Sequence, residues 1–300
     1  MSPDSTGGTR RIVLGLLVSI ALVILWGSWP SLTRLGSQQL DWRILVMLRF
    51  GVPALLLLPV IFRIGLVPRG VPVSVLAVMV LTAGCGFFVL STWALRLAPV
   101  AEIGPMLPGV PPLFVALWTI FYEKRRFSAA QVAGFVLIGL GVLAIVGTPI
   151  LARGSVNLGH FLALGASLSW AIYIIAYGRS RMSPVDATAA VSFWSSLLLA
   201  PFCVPHLVAG LEAGLWREIA LQALLQGVAI GLVAILLFGA SVRLLGAPKS
   251  AAFGAMTPVI STALAIPVLG EWPSSSALVA IVAITVGVIC TNLPLRTRLS

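Results

Sequence analysis

Aromatic side chains recur at helical spacing in two apolar stretches of the chain. Trp26 and Trp29 lie three residues apart, and Trp170, Tyr173 and Tyr177 are separated by three and four residues. This spacing places each set on one face of a helix. Aromatic rings stack on flat solutes, worth about 0.5–1.5 kcal/mol beyond the burial of area, and they attract ammonium groups. The pattern predicts a binding surface for small apolar or aromatic solutes.

Packing between helices is the alternative role of any single aromatic residue. Trp26 and Trp170 lie 144 residues apart, and each falls well inside its apolar stretch. A residue that anchors a protein at the membrane interface would lie nearer an end. The equivalent placement of the two tryptophans favours a cavity wall. Trp42, Trp216 and Trp272 lie at the ends of apolar stretches and are predicted to be interfacial anchors.

A second feature is the proline-rich stretch APVAEIGPMLPGVPP, which begins at Ala98. Each proline lacks an N–H and clashes with the preceding helical turn. Backbone carbonyls around Pro105 and Pro108 should therefore lose helical partners, and in a membrane they must face protein or a water-filled cavity. Such carbonyls could receive a substrate ammonium group, although a kink that serves packing alone is the alternative. Gly104 and Gly109 are the predicted hinges of this stretch.

Further positions complete the predicted site. Phe87 and Ser91 lie in a Gly-containing stretch, and Gln226 lies one turn after Gln222, where a plain hydrogen bond between helices is the alternative to a solute contact. Met256 and Thr257 are predicted substrate contacts in the second half of the chain. Three more positions are predicted hinges, namely Pro30, which should bend the outer end of the first apolar stretch, Gly254 and Pro258.

Charge is nearly absent from the interior of the apolar stretches. Arg49 lies within one of them, and Glu102 lies beside the proline-rich segment. Ionisable groups inside a membrane are functional candidates, so both are candidates for energy coupling, with a structural or snorkelling role favoured for Arg49. Because acidic residues are missing at mid-span, facilitated diffusion is weakly favoured over proton antiport.

The elements that must position these side chains are membrane helices. The chain has 300 residues, of which 59% are hydrophobic and 9% charged, and its mean hydropathy is +1.10. A soluble domain carries about 25% charged residues, which excludes that class. A span needs about twenty mostly apolar residues. Ten stretches qualify, namely 12–33, 42–62, 72–95, 99–121, 128–150, 158–178, 184–206, 219–242, 247–270 and 274–294.

The distribution of charge predicts the orientation of these spans. An even number of spans puts both termini on one side, and most of the 19 Lys and Arg residues lie in connections on that side. Positive residues are retained in the cytoplasm, so both termini should be cytoplasmic. The net charge of +11 forms no basic stripe, which argues against a nucleic-acid partner. The three cysteines lie singly in apolar stretches and form no CxxC pair, which predicts neither a metal site nor a cofactor.

The two halves of the chain resemble each other. ALRLAPVAEIGPMLPGV, from Ala94, parallels RLLGAPKSAAFGAMTPV, from Arg243, and Glu123 and Glu271 are separated by 148 residues. Because each half holds five spans, the second copy must cross the membrane upside down. Inverted repeats are typical of secondary transporters, whose solute site lies where the halves meet. We predict five-helix repeats at 12–150 and 151–294 around a central cavity, with tails at 1–11 and 295–300.

The motifs also resemble a known family. Each half has a Trp in its first span and an Ala-Pro at its fourth, as in the EamA domains of the drug/metabolite transporter superfamily. LRFGVPALLLLP, from Leu48, and TPVISTALAIPVLGE, from Thr257, are similar to that family's second- and fourth-span patterns. The first half departs from the latter pattern, since Tyr122 replaces the Gly before Glu123.

The resemblance implies a ten-span exporter or facilitator in a bacterial inner membrane. It implies a cavity lined mainly by spans 1, 3, 4, 6, 8 and 9, and alternating access between its two sides. Family members include exporters of amino acids, aromatic ones among them. The expected substrates are therefore small apolar or zwitterionic metabolites, with aromatic and other hydrophobic amino acids first. The lipid bilayer is the other expected partner, and the sequence is compatible with a monomer.

Three other functions are alternatives to an amino-acid exporter. A multidrug or other metabolite exporter of the same fold is the first alternative. A membrane-embedded enzyme is disfavoured, because the spans lack paired His, Asp or Glu residues and Ser-Lys pairs. A lipid scramblase or a structural membrane protein is the third alternative.

Overall fold

The computed structural model describes residues 5–124, 126–153 and 157–292, which form helices and no β-strand. Two segments are π-helical, π1 (Val80–Phe87) and π2 (Ala223–Val233). The α-helices are α1 (Ser5–Gln39), α2 (Trp42–Leu56), α3 (Leu58–Ile64), α4 (Val73–Met79), α5 (Phe88–Leu97), α6 (Val100–Gly109), α7 (Pro111–Phe121), α8 (Ala129–Arg153), α9 (Leu158–Ser180), α10 (Pro184–Glu212), α11 (Trp216–Gln222), α12 (Ala234–Leu245), α13 (Ala247–Gly254), α14 (Thr257–Leu269) and α15 (Ser275–Thr291).

Eight helical segments of the described chain are long and apolar enough to cross a membrane. The first begins earlier and ends later than the predicted 12–33, because α1 runs from Ser5 to Gln39. Two of them combine α-helix with π-helix, at Val73–Leu97 and Trp216–Leu245. The shorter apolar helix α15, of 17 residues, lies within the predicted tenth span. The predicted tail 295–300 lies outside the described residues.

The predicted second span, 42–62, is not one continuous helix. It consists of α2 and α3, which meet at Leu57 with a bend of 64°. The physical reason is Pro59, which stands in the first turn of α3. Its ring clashes with the carbonyl four residues earlier and its nitrogen donates no hydrogen bond, so α2 cannot continue through it.

Prolines have different effects in the other irregular helices. Pro30 does not end α1, which continues through it to Gln39. Its missing N–H removes only the helical partner of the Trp26 carbonyl, and long helices tolerate one such loss. The proline-rich span is interrupted at Val110, between α6 and α7. The ninth span is interrupted as well, between Gly254 and Thr257.

The N-terminal and C-terminal halves of the chain are interleaved. Helix α1 packs on α12 and α14, α2 packs on α10 and π2, and α5 packs on α9. Helices α8 and α15, one from each half, form the most extensive pairing. They cross at glycines, because a Cβ on Gly134 would lie 2.7 Å from the carbonyl oxygen of Gly287, and a Cβ on Gly287 would lie 2.7 Å from that of Gly134. Small residues allow such close approach of membrane helices.

This crossing predicts opposite effects for two glycines of α8. Gly134→Ala should destabilise the protein by about 1–3 kcal/mol, because the new methyl group overpacks the backbone of α15. Gly139→Ala is the matched control, since a Cβ there meets nothing within 4 Å. It should be neutral or should stabilise the helix by about 0.5–1 kcal/mol. Thermal unfolding of the two variants in detergent measures the difference, and equal midpoints would contradict the crossing.

Candidate functional site

A cavity of about 290 Å³ lies among helices from both halves of the chain. Pockets for small ligands span about 300–1,000 Å³, so this one is at the small end. Its walls come from the predicted spans 1, 3, 4, 6, 8 and 9, and also from spans 2 and 7. Residues from α9 and α10 that line it fall in the second half of α9 and the first third of α10. Arg49 of α2 and Gly104 of α6 line the cavity as well, and both of these helices begin at the opposite end of the bundle. The cavity therefore lies in the middle of the bundle.

A continuous row of aromatic rings forms one wall of the cavity. Phe87 is its centre, with ring centroids 5.3 Å from Trp29 and 4.8 Å from Trp170. Trp170 in turn contacts Tyr173 at 4.8 Å. These distances are typical of aromatic pairs. Trp26 also lines the cavity, but its ring packs on Phe238 at 5.6 Å.

Eleven of the predicted positions line this cavity: Trp26, Trp29, Pro30, Arg49, Phe87, Gly104, Pro108, Trp170, Tyr173, Gly254 and Thr257. Gly104 has a further role, because a Cβ there would lie 2.2 Å from the Ser261 hydroxyl oxygen. The absence of a side chain thus lets α6 approach α14 at the cavity wall. Pro108 offers no N–H to the Gly104 carbonyl, which belongs to the same wall.

Five predicted substrate contacts lie outside the cavity wall. The Ser91 side chain is fully buried and donates to the carbonyl oxygen of Phe87 at 2.6 Å. Pro105 is buried within α6. Tyr177 extends the aromatic row, 5.8 Å from Tyr173, but lies beyond the lining. Met256 is exposed at the break between α13 and α14.

Gln226 is the fifth predicted substrate contact outside the cavity wall. It forms a hydrogen bond between helices and does not line the cavity. Its side chain is fully buried, and Nε2 donates to the Thr33 hydroxyl at 3.2 Å and to Gln222 Oε1 at 3.4 Å. Two predicted hinges also lie outside the wall. Gly109 faces Ile284 of α15, and Pro258 stands in the first turn of α14.

Several lining residues were missed by sequence reasoning. Thr188 and Ser192 of α10 line the cavity, as do Phe50 of α2 and Ser261 of α14. Thr188 and Ser192 lie four residues apart, so a polar pair on one helical face was the available signal. Both π-helical segments reach the wall as well, and π-helical turns frequently mark functional sites. No sequence pattern distinguished these segments from α-helix.

Arg49 is the charged residue of the cavity wall. Its Nη1 donates to the carbonyl oxygen of Gln226 in π2 at 3.3 Å. Its guanidinium carbon lies 5.7 Å from the centroid of the Phe88 ring, in a cation–π contact. This position connects α2 to π2 and holds the cation against the aromatic wall.

Glu102 lies away from the cavity, at the end of the bundle where α6 begins. Its Oε2 is 2.8 Å from His160 Nε2, and the His160 side chain is almost fully buried. Glu271 lies nearby, and its Oε2 accepts from the backbone N–H groups of Val100 and Ala101 at 2.6 and 3.3 Å. These contacts join helices of both halves. We call the end of the bundle that holds Glu102, His160 and Glu271 the sealed end.

The cap on α6 predicts a loss of stability when the charge of Glu271 is removed. A carboxylate at a helix N-terminus interacts favourably with the unpaired N–H groups and the helix dipole. Glu271→Gln should lower stability by about 1 kcal/mol, measured as the thermal midpoint in detergent. Glu123→Gln is the matched control, because Glu123 is the corresponding residue of the first half and is exposed. Equal midpoints for the two variants would rule out the cap.

Comparison with known proteins gives relatives over nearly the whole chain. A "Probable amino-acid metabolite efflux pump" of Salmonella typhimurium is 25% identical over 291 residues, covering 94% of this chain and 95% of that protein. "Aromatic amino acid exporter YddG" of Ancylobacter novellus is 31% identical over 215 residues, which cover 68% of this chain and 70% of that protein.

A solved structure and a family model also match this chain. A solved crystal structure matches with a TM-score of 0.54 and 21% identity, covering 93% of this chain and 96% of that chain, which supports the fold alone. The EamA-like transporter family matches twice, at residues 13–147 and 157–293. The chain therefore belongs to the EamA-like transporter family of multi-pass membrane proteins.

Proposed function

We propose that this protein exports small apolar or zwitterionic metabolites, with aromatic and other hydrophobic amino acids as its first substrates. The observation that carries the proposal is the aromatic row along a cavity between the two family-matched halves. Rings at stacking distance from one another offer a flat apolar surface to a solute side chain. The printed names of two relatives, an amino-acid metabolite efflux pump and an aromatic amino acid exporter, point the same way.

The size and polarity of the cavity favour amino acids over large drugs. A volume of about 290 Å³ accommodates a solute of amino-acid size. The carbonyls of Trp26 and Gly104 stand four residues before Pro30 and Pro108, which cannot donate to them. They are available to accept from a substrate ammonium group. A multidrug or other metabolite exporter of the same fold is the alternative, and an embedded enzyme is the remote one.

The proposed architecture has ten spans in two inverted five-helix repeats, 12–150 and 151–294. The bent pair α2–α3 counts as the second span and α15 as the tenth. Both termini, with the tail 1–11, would be cytoplasmic, in the inner membrane of a bacterium. Most connections rich in Lys and Arg then face the cytoplasm, as positive residues prefer. A monomer suffices for this arrangement, because the cavity is built from one chain.

The proposed mechanism is alternating access. In this orientation the sealed end faces outward, and the cavity lies between the sealed end and the cytoplasmic side. Export would open the contacts of Glu102 with His160 and close the cytoplasmic side, with Glu102 and Arg49 as the candidates for coupling. The proposed hinges are Pro30, Gly104, Gly109, Gly254 and Pro258.

Transport by purified protein tests the function. Liposomes loaded with labelled phenylalanine, tryptophan or leucine should release them faster with the protein than without it. Phe87→Ala should slow release of the aromatic amino acids about tenfold, because Phe87 joins the rings of Trp29 and Trp170. Trp272→Ala is the control, since Trp272 is exposed at a span end and far from the row.

The outcomes of the transport experiment separate the alternatives. Release of drugs but no amino acid would overturn the proposed substrate and favour the multidrug alternative. Normal release by Phe87→Ala would show that the aromatic row serves packing. Release that ignores an imposed pH gradient would favour facilitated diffusion.

Thiol labelling tests the proposed orientation. Ser192→Cys, in a background with Cys85→Ala and Cys290→Ala, should react with a membrane-impermeant reagent in inside-out vesicles but not in intact cells, because Ser192 lines the cavity. The native Cys203 is the internal control, because it is buried on the same helix and does not line the cavity. The background protein should therefore stay unlabelled. Labelling of Ser192→Cys only from outside would reverse the orientation.

A further inference from the structure

The cavity has one unbalanced feature, the positive charge of Arg49. Among the described lining residues, Arg49 is the only charged one. No ion pair joins it to a carboxylate within residues 5–124, 126–153 and 157–292. A cation held inside a membrane protein without a counter-charge is costly, and such a group usually has a partner.

The hydrogen bonds of Arg49 leave donor capacity unused. A guanidinium has five N–H donors in a planar fork, and the bond to the Gln226 carbonyl uses one of them. The Nε atom is buried and has no hydrogen-bond partner in the described structure. A role limited to connecting α2 with π2 would not account for a buried donor that remains unpaired.

Two more unpaired polar atoms belong to the same cavity wall. Trp29 Nε1 and Ser261 Oγ are buried without partners in the described structure. Trp29 and Arg49 are neighbours on the Phe88 ring, whose centroid lies 5.5 Å from the Trp29 ring and 5.7 Å from the guanidinium carbon. Two residues of the cavity wall thus carry buried, unpaired N–H donors beside the same ring, next to the aromatic row.

We propose that Arg49, assisted by Trp29 Nε1, binds the carboxylate of the transported solute. A carboxylate supplies the missing negative charge and accepts from both donors, and the guanidinium fork matches its two oxygens. A cavity whose described lining holds a single charged residue, Arg49, suits one negative charge rather than a phosphate. The solute side chain would then lie along Phe87 and Trp170. This inference rests on the proposed function and narrows its substrates to monocarboxylates.

The decisive test compares ligands that differ only at the carboxyl group. Binding of phenylalanine and phenylalaninamide to purified protein in lipid nanodiscs is measured by calorimetric titration. The measurement is made at about pH 6, where the α-amino group of both is charged. Leucine and leucinamide form a second pair. The wild type should bind each acid about tenfold more tightly than its amide, because the charge-assisted bonds to Arg49 are lost with the amide.

Variants of Arg49 locate the effect. Arg49→Gln should abolish the acid-to-amide ratio, and Arg49→Lys should keep part of it, because lysine retains the charge without the fork. Trp29→Phe should reduce the ratio less than Arg49→Gln does. Arg11→Gln is the matched control and should leave the ratio unchanged, because Arg11 also donates to a backbone carbonyl, that of Arg243 at 3.0 Å, but lies outside the cavity.

The ratio is insensitive to general damage, because both ligands of a pair share the side chain and the ammonium group. Equal binding of acid and amide by the wild type would overturn the carboxylate site and leave the proposed function standing. An undiminished ratio in Arg49→Gln would overturn the assignment to Arg49. If no amino acid or amide bound the wild type, the proposed function would fall together with the inference. If Arg49→Gln did not fold, the wild-type ratio and Arg49→Lys would still decide.

Discussion

In a membrane, every backbone N–H and C=O must find its partner within the protein, and the helices around this cavity are the ones that break the regular ladder. Side chains from the opposite half of the chain donate to backbone carbonyls in these irregular segments. Ser169 donates to the Thr82 carbonyl in π1 at 2.9 Å, and Arg49 donates to the Gln226 carbonyl in π2 at 3.3 Å. Thr262 donates to the Ala101 carbonyl at 3.4 Å. The Ala101 carbonyl stands four residues before Pro105, which has no N–H to give it.

These bonds connect the halves along the irregular segments around the cavity. A straight α-helix satisfies its own backbone and needs nothing from a neighbour except packing. A proline-interrupted helix leaves carbonyls without a helical partner, whereas a π-helical segment keeps its own i→i+5 bonds. Side chains of the other half donate to carbonyls in segments of both kinds. Contacts between the halves also occur at the ends of helices. Glu271 accepts from the first N–H groups of α6, and the Asn157 amide donates to the Leu97 carbonyl at the end of α5 at 3.0 Å.

Spacing and composition predicted the helical class, the aromatic positions and the proline interruption of the fourth span, because these depend on local periodicity and on the chemistry of single residues. The bend at Leu57 could have been inferred from Pro59. Spacing places Tyr177 on the same helical face as Tyr173, but Tyr177 lies outside the cavity wall. The extent of the wall depends on the neighbouring helices, which spacing does not reveal. Gln226 Nε2 donates to the hydroxyl of Thr33, which is 193 residues away in sequence. The π-helical turns and the contact of Glu102 with His160 likewise arise from tertiary packing that no local pattern encodes.

The glycine crossing of Gly134 and Gly287 lies in the pair α8–α15, which contributes no described residue to the cavity wall. The most extensive contact between the halves is thus separate from the residues that line the cavity. Substitutions in the wall can change which solutes fit while the glycine crossing keeps the halves together. Because the two sets of residues are separate, a protein of this kind can change its substrates through the cavity wall without first losing its fold.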